Sequence, residues 1–172
     1  DIPNTVAHGL KSLAHVQPAL TTIHAAGGTE MISRAKEALQ EAFPDALRRP
    51  KLLAVTVLTS MDAAGLSEIG VSASPQEQVL RLGKLAIRAG ADGRVCSAKG
   101  SAPLRDALGD APELVVPGIR PAGSASDDQK RIMTPTEAAQ AGADWIVVGR
   151  PITRAANPVH AARAIMEELA TA

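Results

Sequence analysis

Five short apolar runs, spaced along the chain and separated by amphipathic stretches, constrain this sequence more than any other feature. They are "LTTIHA" (20–25), "KLLAVTVL" (51–58), "GRVCS" (93–97), "ELVVPG" (113–118) and "DWIVVG" (144–149). Each is near-continuous and rich in β-branched residues, which predicts strands buried on both faces, as in a parallel sheet. The stretches between them carry helix starts. Ser74-Pro75-Gln76-Glu77 offers a hydroxyl N-cap, a proline at the first helical position and a glutamate that closes a capping box. Thr134-Pro135-Thr136-Glu137 repeats that device, and Asn157-Pro158 opens a last helix with Val159, Ala162, Ile165, Met166 and Leu169 on one face.

Strand, loop and helix thus recur without a Gly/Ser/Pro-rich linker, which predicts an α/β chain forming one domain over residues 1–172. A dinucleotide-binding sheet and a (β/α)₈ barrel both fit this order. No G-x-G-x-x-G follows any of the runs. Polar residues do gather where run after run ends: His24, Thr59, Ser97, Arg120 and Arg150. In a barrel those ends converge on one face, where the loops build the site. About five complete strands can be counted, with a stub at residues 1–3, whereas a barrel needs eight. The expected deficit is at the front.

Composition narrows the partners. Phe43 and Trp145 are the only aromatic residues, so stacking platforms for single-stranded nucleic acid are not expected. Eighteen Lys and Arg balance eighteen Asp and Glu, which leaves no general basic field for a phosphate backbone. Cys96 is the lone cysteine and cannot form an internal disulfide. No apolar run approaches the ~20 residues of a membrane helix. A cytoplasmic, neutral domain that binds neither nucleic acid nor membrane is the expectation.

Two segments point to chemistry. "VVPGIRP" (115–121) and "VVGRP" (147–151) each end a buried strand with glycine, arginine and proline in that order. Gly118 and Gly149 can take positive φ or admit a ligand close to the backbone. Arg120 and Arg150 present planar, permanently charged forks suited to phosphate. The second segment is expected to run into a helix whose amides add donors. Barrels often build phosphate sites from the loops after their last two strands, where these segments would lie. Gly-Pro pairs also punctuate ordinary strand ends, but two copies on successive strands favour the phosphate reading. Between them, "PAGSASDDQKRIMTP" (121–135) is a long polar loop of the kind used as a lid, with Gln129 able to bridge a phosphate and a base edge.

Other residues carry less. Asp127 and Asp128 read as solvated loop carboxylates, and His8, His15 and His160 lack metal-ligand spacing. His24 reads as a hydrogen-bonded strand-end histidine and Cys96 as core. Arg94, a charge inside a buried run, is costly unless paired or led to water. "DIPNT" (1–5) reads as a turn shaped by Pro3 and Asn4, flanked by Asp1 and Thr5.

Taken together, "DIPNTV", "HAAGG" (24–28), "LLAVTVLTSMD" (52–62) and "VPGIRPAGSASDDQKRIMTPTEAAQAGADWIVVGRPIT" (116–153) resemble the orotidine 5′-phosphate decarboxylase family, in order and over nearly the whole chain. The resemblance implies a (β/α)₈ barrel, here without the first two βα units and most of the third strand. It implies a homodimer that converts orotidine monophosphate to uridine monophosphate without metal or organic cofactor. The substrate-contacting segment would include Asp1, Ile2, Pro3, Asn4 and Thr5, with Asp1 and Thr5 reaching into the neighbouring subunit's site. Thr59 would lie near the pyrimidine, while Arg120, Gly149 and Arg150 hold the phosphate and Gln129 closes over it. "DIPNT" would end a longer D-x-K-x-x-D-I-P-N-T motif, with Asp1 as its second aspartate. A further ~65–75 residues would then complete a barrel of usual size. A polypeptide limited to residues 1–172 is expected to grip phosphate but lack the motif's lysine, and to be inactive alone. A metal-dependent sugar-phosphate enzyme of the same suprafamily and a non-catalytic phosphate-binding fragment are the competing readings.

Overall fold

The computed structural model describes residues 1–121 and 133–172; the side chains of residues 98 and 99 also fall outside the description. Among the described residues five strands form one parallel sheet in sequence order: β1 (Leu20–His24), β2 (Lys51–Val55), β3 (Gly93–Val95), β4 (Glu113–Val116) and β5 (Trp145–Ile146). Helix α1 (Pro3–Lys11) precedes β1, and α2 (Gly28–Ala42) links β1 to β2. Then come α3 (Ala63–Glu68) and α4 (Pro75–Arg88) before β3, α5 (Ala98–Leu108) before β4 and α6 (Pro135–Gln140) before β5. The chain ends with α7 (Arg150–Thr153) and α8 (Pro158–Ala170). An all-parallel sheet taken in sequence order with a helix in every crossover is the wall of a (β/α)₈ barrel.

Period-two alternation divides the core into two shells. Leu52, Ala54, Leu114 and Val116 face the helices, where they meet Ile32, Leu39, Val79 and Leu104. Leu53, Val95 and Val115 form a second, inner cluster with Leu20 and Val55. Gly93 belongs to that inner face because a Cβ there would lie 2.6 Å from the Glu113 backbone oxygen and 2.8 Å from Leu53.

The expectation of strands buried on both faces holds for β2, β3 and β4 but not for the outer pair. In β1, Thr22 and His24 are exposed, and Trp145 of β5 is 46% exposed. These two strands border the five-stranded sheet, so each has only one strand neighbour here. The stub at residues 1–3 is also corrected: Pro3 opens α1 with Ile2 as its N-cap, and the Val6 amide donates to the Ile2 carbonyl at 3.0 Å. Proline is favoured at the first helical position, where its missing N–H costs nothing, so Pro3-Asn4 starts a helix rather than shaping a turn.

The predicted caps form. Ser74 accepts from the Glu77 amide while the Glu77 carboxylate accepts from Ser74, and Thr134 and Glu137 repeat the exchange. Asn157 accepts from the His160 amide at 3.0 Å. Hydrogen bonds from the Ser74 hydroxyl and amide hold the Glu77 carboxyl below its ordinary range; those from the Thr134 amide and hydroxyl do the same for Glu137. Groups with depressed native pKa values stabilise the fold above their unfolded pKa and lose that contribution as pH falls through the native value. Acidification below the normal glutamate range is therefore expected to weaken both helix starts. Thr134→Ala should cost about 1 kcal/mol at neutral pH and less in acid, as read from urea unfolding at pH 7 and pH 3. An equal cost at both pH values would refute the coupling.

A four-residue repeat, Ala-Gly-Ala-Asp at 89–92 and 141–144, builds two matching pins at the amino-terminal edge of the sheet. Gly90 (φ 98°) and Gly142 (φ 82°) end α4 and α6 in the left-handed region, and the Ala91 and Ala143 amides donate back to Ala86 and Ala138. Each aspartate then ties a strand to a helix. Asp92 accepts from the Leu52 amide at 2.8 Å and from Lys36 of α2 at 2.5 Å. Asp144 accepts from the Leu114 amide at 2.7 Å and from Arg105 of α5 at 2.6 Å.

Candidate functional site

The carboxyl edge of the sheet is set by the register of β4 and β5. Val115 lies opposite Trp145 and Val116 opposite Ile146, and the Val147 amide extends the ladder to the Val116 carbonyl at 3.0 Å. Arg120 and Arg150 each stand four residues beyond the last paired residue of neighbouring strands, Val116 and Ile146. The parallel pairing therefore delivers both guanidinium-bearing residues to the same edge.

Their local settings differ. Gly118 takes φ 76°, which turns the chain so that Ile119 and Arg120 bury. Arg120 is only 6% exposed; its amide donates to the Met133 carbonyl at 2.9 Å and its Nη1 to the Ile119 carbonyl at 2.9 Å. That backbone bond joins the two ends of the segment between them. Gly149 takes φ −103°, outside the left-handed region, and a Cβ added there would meet nothing within 4 Å. Its value is open space beside the backbone, not a special dihedral angle. Arg150 is half-buried at the start of α7. The segment does run into a helix, as expected, but α7 has only four residues, and the long helix begins at Pro158, behind its own Asn157 cap. Gln129, Asp127 and Asp128 lie outside the described residues.

Other strand ends contribute hydroxyls. Thr59 is buried to 9% exposure in the connection after β2. The Thr56 amide and hydroxyl both donate to the Val95 carbonyl, extending that edge, and Asp62 caps α3 by accepting from Gly65 at 3.0 Å. Ser97, directly after β3, is fully buried, and its hydroxyl has no partner among the described residues. It does not cap α5, although it occupies the N-cap position. An unpaired buried hydroxyl is costly unless something else meets it. Sequence reading placed Ser97 at a strand end without assigning it a role, and the serine between a buried run and a helix was the available signal. Cys96 is core, with Sγ 3.8 Å from the Ser101 hydroxyl.

His24 is not the hydrogen-bonded histidine expected. It is exposed, its side chain has no hydrogen bond among the described residues, and it sits opposite Val55, on the inner face of the sheet. The edge position of β1 explains its lack of partners.

Residues 1–5 lead into α1, which packs against α2. Asn4 of α1 accepts from Arg34 of α2 at 3.5 Å, and Lys11 pairs with Glu41, so the two helices run parallel. Helix α2 begins just past the carboxyl end of β1, and the start of α1 lies beside its second turn. Asp1, Ile2, Asn4 and Thr5 are exposed and Pro3 is half-buried. A groove of about 700 Å³ lined by Lys36, Arg48, Arg49, Lys51 and Asp92 opens at the opposite, amino-terminal ends of β1 and β2, away from both arginines.

Comparison with known proteins converges on one family. The family model described as Orotidine 5′-phosphate decarboxylase / HUMPS matches residues 1–165. The orotidine 5′-phosphate decarboxylase of Gluconobacter oxydans 621H is 78% identical over 172 residues, all of this chain and 73% of its own length. That of Chromobacterium violaceum is 53% identical over 169 residues, covering 98% of this chain and 67% of the relative. The crystal structure of the Lactobacillus acidophilus enzyme of that name superposes with a TM-score of 0.83 at 44% identity, over 98% of this chain and 71% of the other. The Pyrococcus horikoshii structure, at 23% identity and a TM-score of 0.71, shares the fold. With a family model spanning nearly all of it and a relative at 78% identity, the chain belongs to the orotidine 5′-phosphate decarboxylase / HUMPS family.

Proposed function

We propose that the protein decarboxylates orotidine 5′-monophosphate to uridine 5′-monophosphate in pyrimidine biosynthesis. The observation that carries this reading is 78% identity, over every residue of the chain, to a protein named for that activity. The paired strand-end arginines support it from the chemistry.

In this account Arg120 and Arg150 hold the 5′-phosphate through charge-assisted bonds. Gly149 leaves room for a phosphate oxygen beside the backbone, and Gln129 closes over the nucleotide. Thr59 lies near the pyrimidine. During the reaction the bond between C6 and the carboxylate breaks, CO₂ leaves, and the electron pair remains on C6. A lysine ammonium of the family's longer motif stabilises that charge and then donates the proton. Asp1 is the carboxylate that fixes this ammonium. The exposure of Asp1 and Thr5 fits residues that reach into a second subunit's site; in this reading the working form is a homodimer, and the protein acts in the cytoplasm. The reaction needs neither metal nor organic cofactor.

The HUMPS half of the family description gives the second reading, a metal-dependent sugar-phosphate enzyme. Incubating the full-length protein with orotidine monophosphate and a chelator separates the two. Uridine monophosphate should form at an undiminished rate. Absence of that product, together with magnesium-dependent turnover of a sugar phosphate, would replace the proposal.

A further inference from the structure

Arg94 takes no part in the site above, and its surroundings are unusual. It lies in the middle strand of the sheet, in register with Ala54 and Leu114, and its side chain is fully buried against the helical layer. Among the described residues only Nη1 is satisfied, by the Pro112 carbonyl at 2.8 Å. Nε and Nη2 are buried without partners among the described residues. Those two N–H groups form one edge of the guanidinium, the fork that takes an anion in bidentate fashion.

Charge sharpens the case. Arg105 Nη1 donates to the same Pro112 carbonyl at 3.0 Å, so two guanidinium groups converge on one oxygen. The carboxylate near them, Asp144, is already engaged by Arg105 Nη2 and the Leu114 amide. Asp110 is 98% exposed on its side chain and stands 3.9 Å from Arg105 Nε. Burial first, and then the Arg105 charge, weigh against the charged form of Arg94. An arginine nevertheless stays protonated. A buried cation whose donor edge meets none of the described residues, with a second cation beside it, calls for a counter-ion more than for a neutral water.

We propose that the Nε/Nη2 edge of Arg94 is a binding site for one small monovalent anion of chloride size, which neutralises the Arg94–Arg105 pair between β3 and the helical layer. The site is structural and lies on the helix-facing side of the sheet, away from the inner face that carries His24. It makes the stability of the protein depend on halide, separately from ionic strength.

The test is thermal unfolding of the full-length protein at constant ionic strength, with sodium gluconate replaced stepwise by sodium chloride. The wild type should show a saturable rise of about 2–5 °C. Arg94→Leu should melt higher than wild type without chloride and show no saturable rise. Arg94→Lys keeps the charge without the fork and should also lose the saturable response, which decides the matter if the leucine variant does not fold. In bromide-soaked crystals an anomalous peak should appear beside Nε and Nη2 of Arg94. A wild type indifferent to chloride, variants that shift in parallel with it, or no bromide at that edge would overturn the proposal.

Discussion

Replacing Arg150 with alanine in the full-length protein is expected to lower kcat/KM for orotidine monophosphate by about 10²–10³-fold, and Arg120→Ala by at least as much. Truncating one member of a charge-assisted contact costs ~2–5 kcal/mol when the other charge is left behind, and each 1.4 kcal/mol is about tenfold. The phosphate is remote from the reacting carbon. Binding energy gained there still supports the chemical step by holding the pyrimidine in place, so kcat should fall as well as KM rise. Arg120 is the more buried of the two and already donates to the Ile119 carbonyl. Its lysine variant keeps the charge but loses the fork and should recover only part of the activity. Because both groups are assigned to one anion, the double variant should lose less than the product of the single losses. Losses under tenfold from both single variants, with unchanged melting temperatures, would remove the arginines from the phosphate.

The second large effect is on stability and lies at the other edge of the sheet. Asp144→Ala is expected to destabilise the protein by about 2 kcal/mol, because it strands the Leu114 amide and leaves one N–H of Arg105 Nη2 unmet, that nitrogen keeping its bond to the Gly142 carbonyl. Asp144→Asn keeps one acceptor and should lose roughly half as much. Asp110, 3.9 Å from Arg105 and almost fully exposed on its side chain, is the control. Its alanine variant should stay within ~0.5 kcal/mol of wild type. Chemical denaturation of the three variants decides the point, and equal midpoints for the Asp144 and Asp110 alanine variants would show that the pin does not bear on the fold.

What could be read from sequence follows the range of the interaction involved. The Ser74, Thr134 and Asn157 caps are local exchanges within three residues, so their letters predict their geometry. That Arg120 and Arg150 reach one edge was legible for a related reason: glycine and arginine after a buried run recur, and parallel pairing carries the repeat there. Features that need a partner far along the chain were not legible. The Asp92 and Asp144 pins join residues 30–56 positions apart, and nothing near Asp144 announces Arg105 or Leu114. The exposure of β1 and β5 depends on which strands lie beside them, which an apolar run does not record. Pro3 misled because proline serves turns and helix starts alike; the Val6–Ile2 bond decided between them. Arg94 was recognisable as a cost, but its donor edge, unmet by the described residues, emerged only with the Pro112 carbonyl in place.

A crystal structure of the full-length protein with uridine monophosphate is the most direct measurement. The account predicts Arg120 and Arg150 side-chain nitrogens about 2.7–2.9 Å from oxygens of the same phosphate, at the carboxyl edge of β4 and β5. A phosphate held by only one of them, or a nucleotide bound at the amino-terminal groove instead, would contradict it.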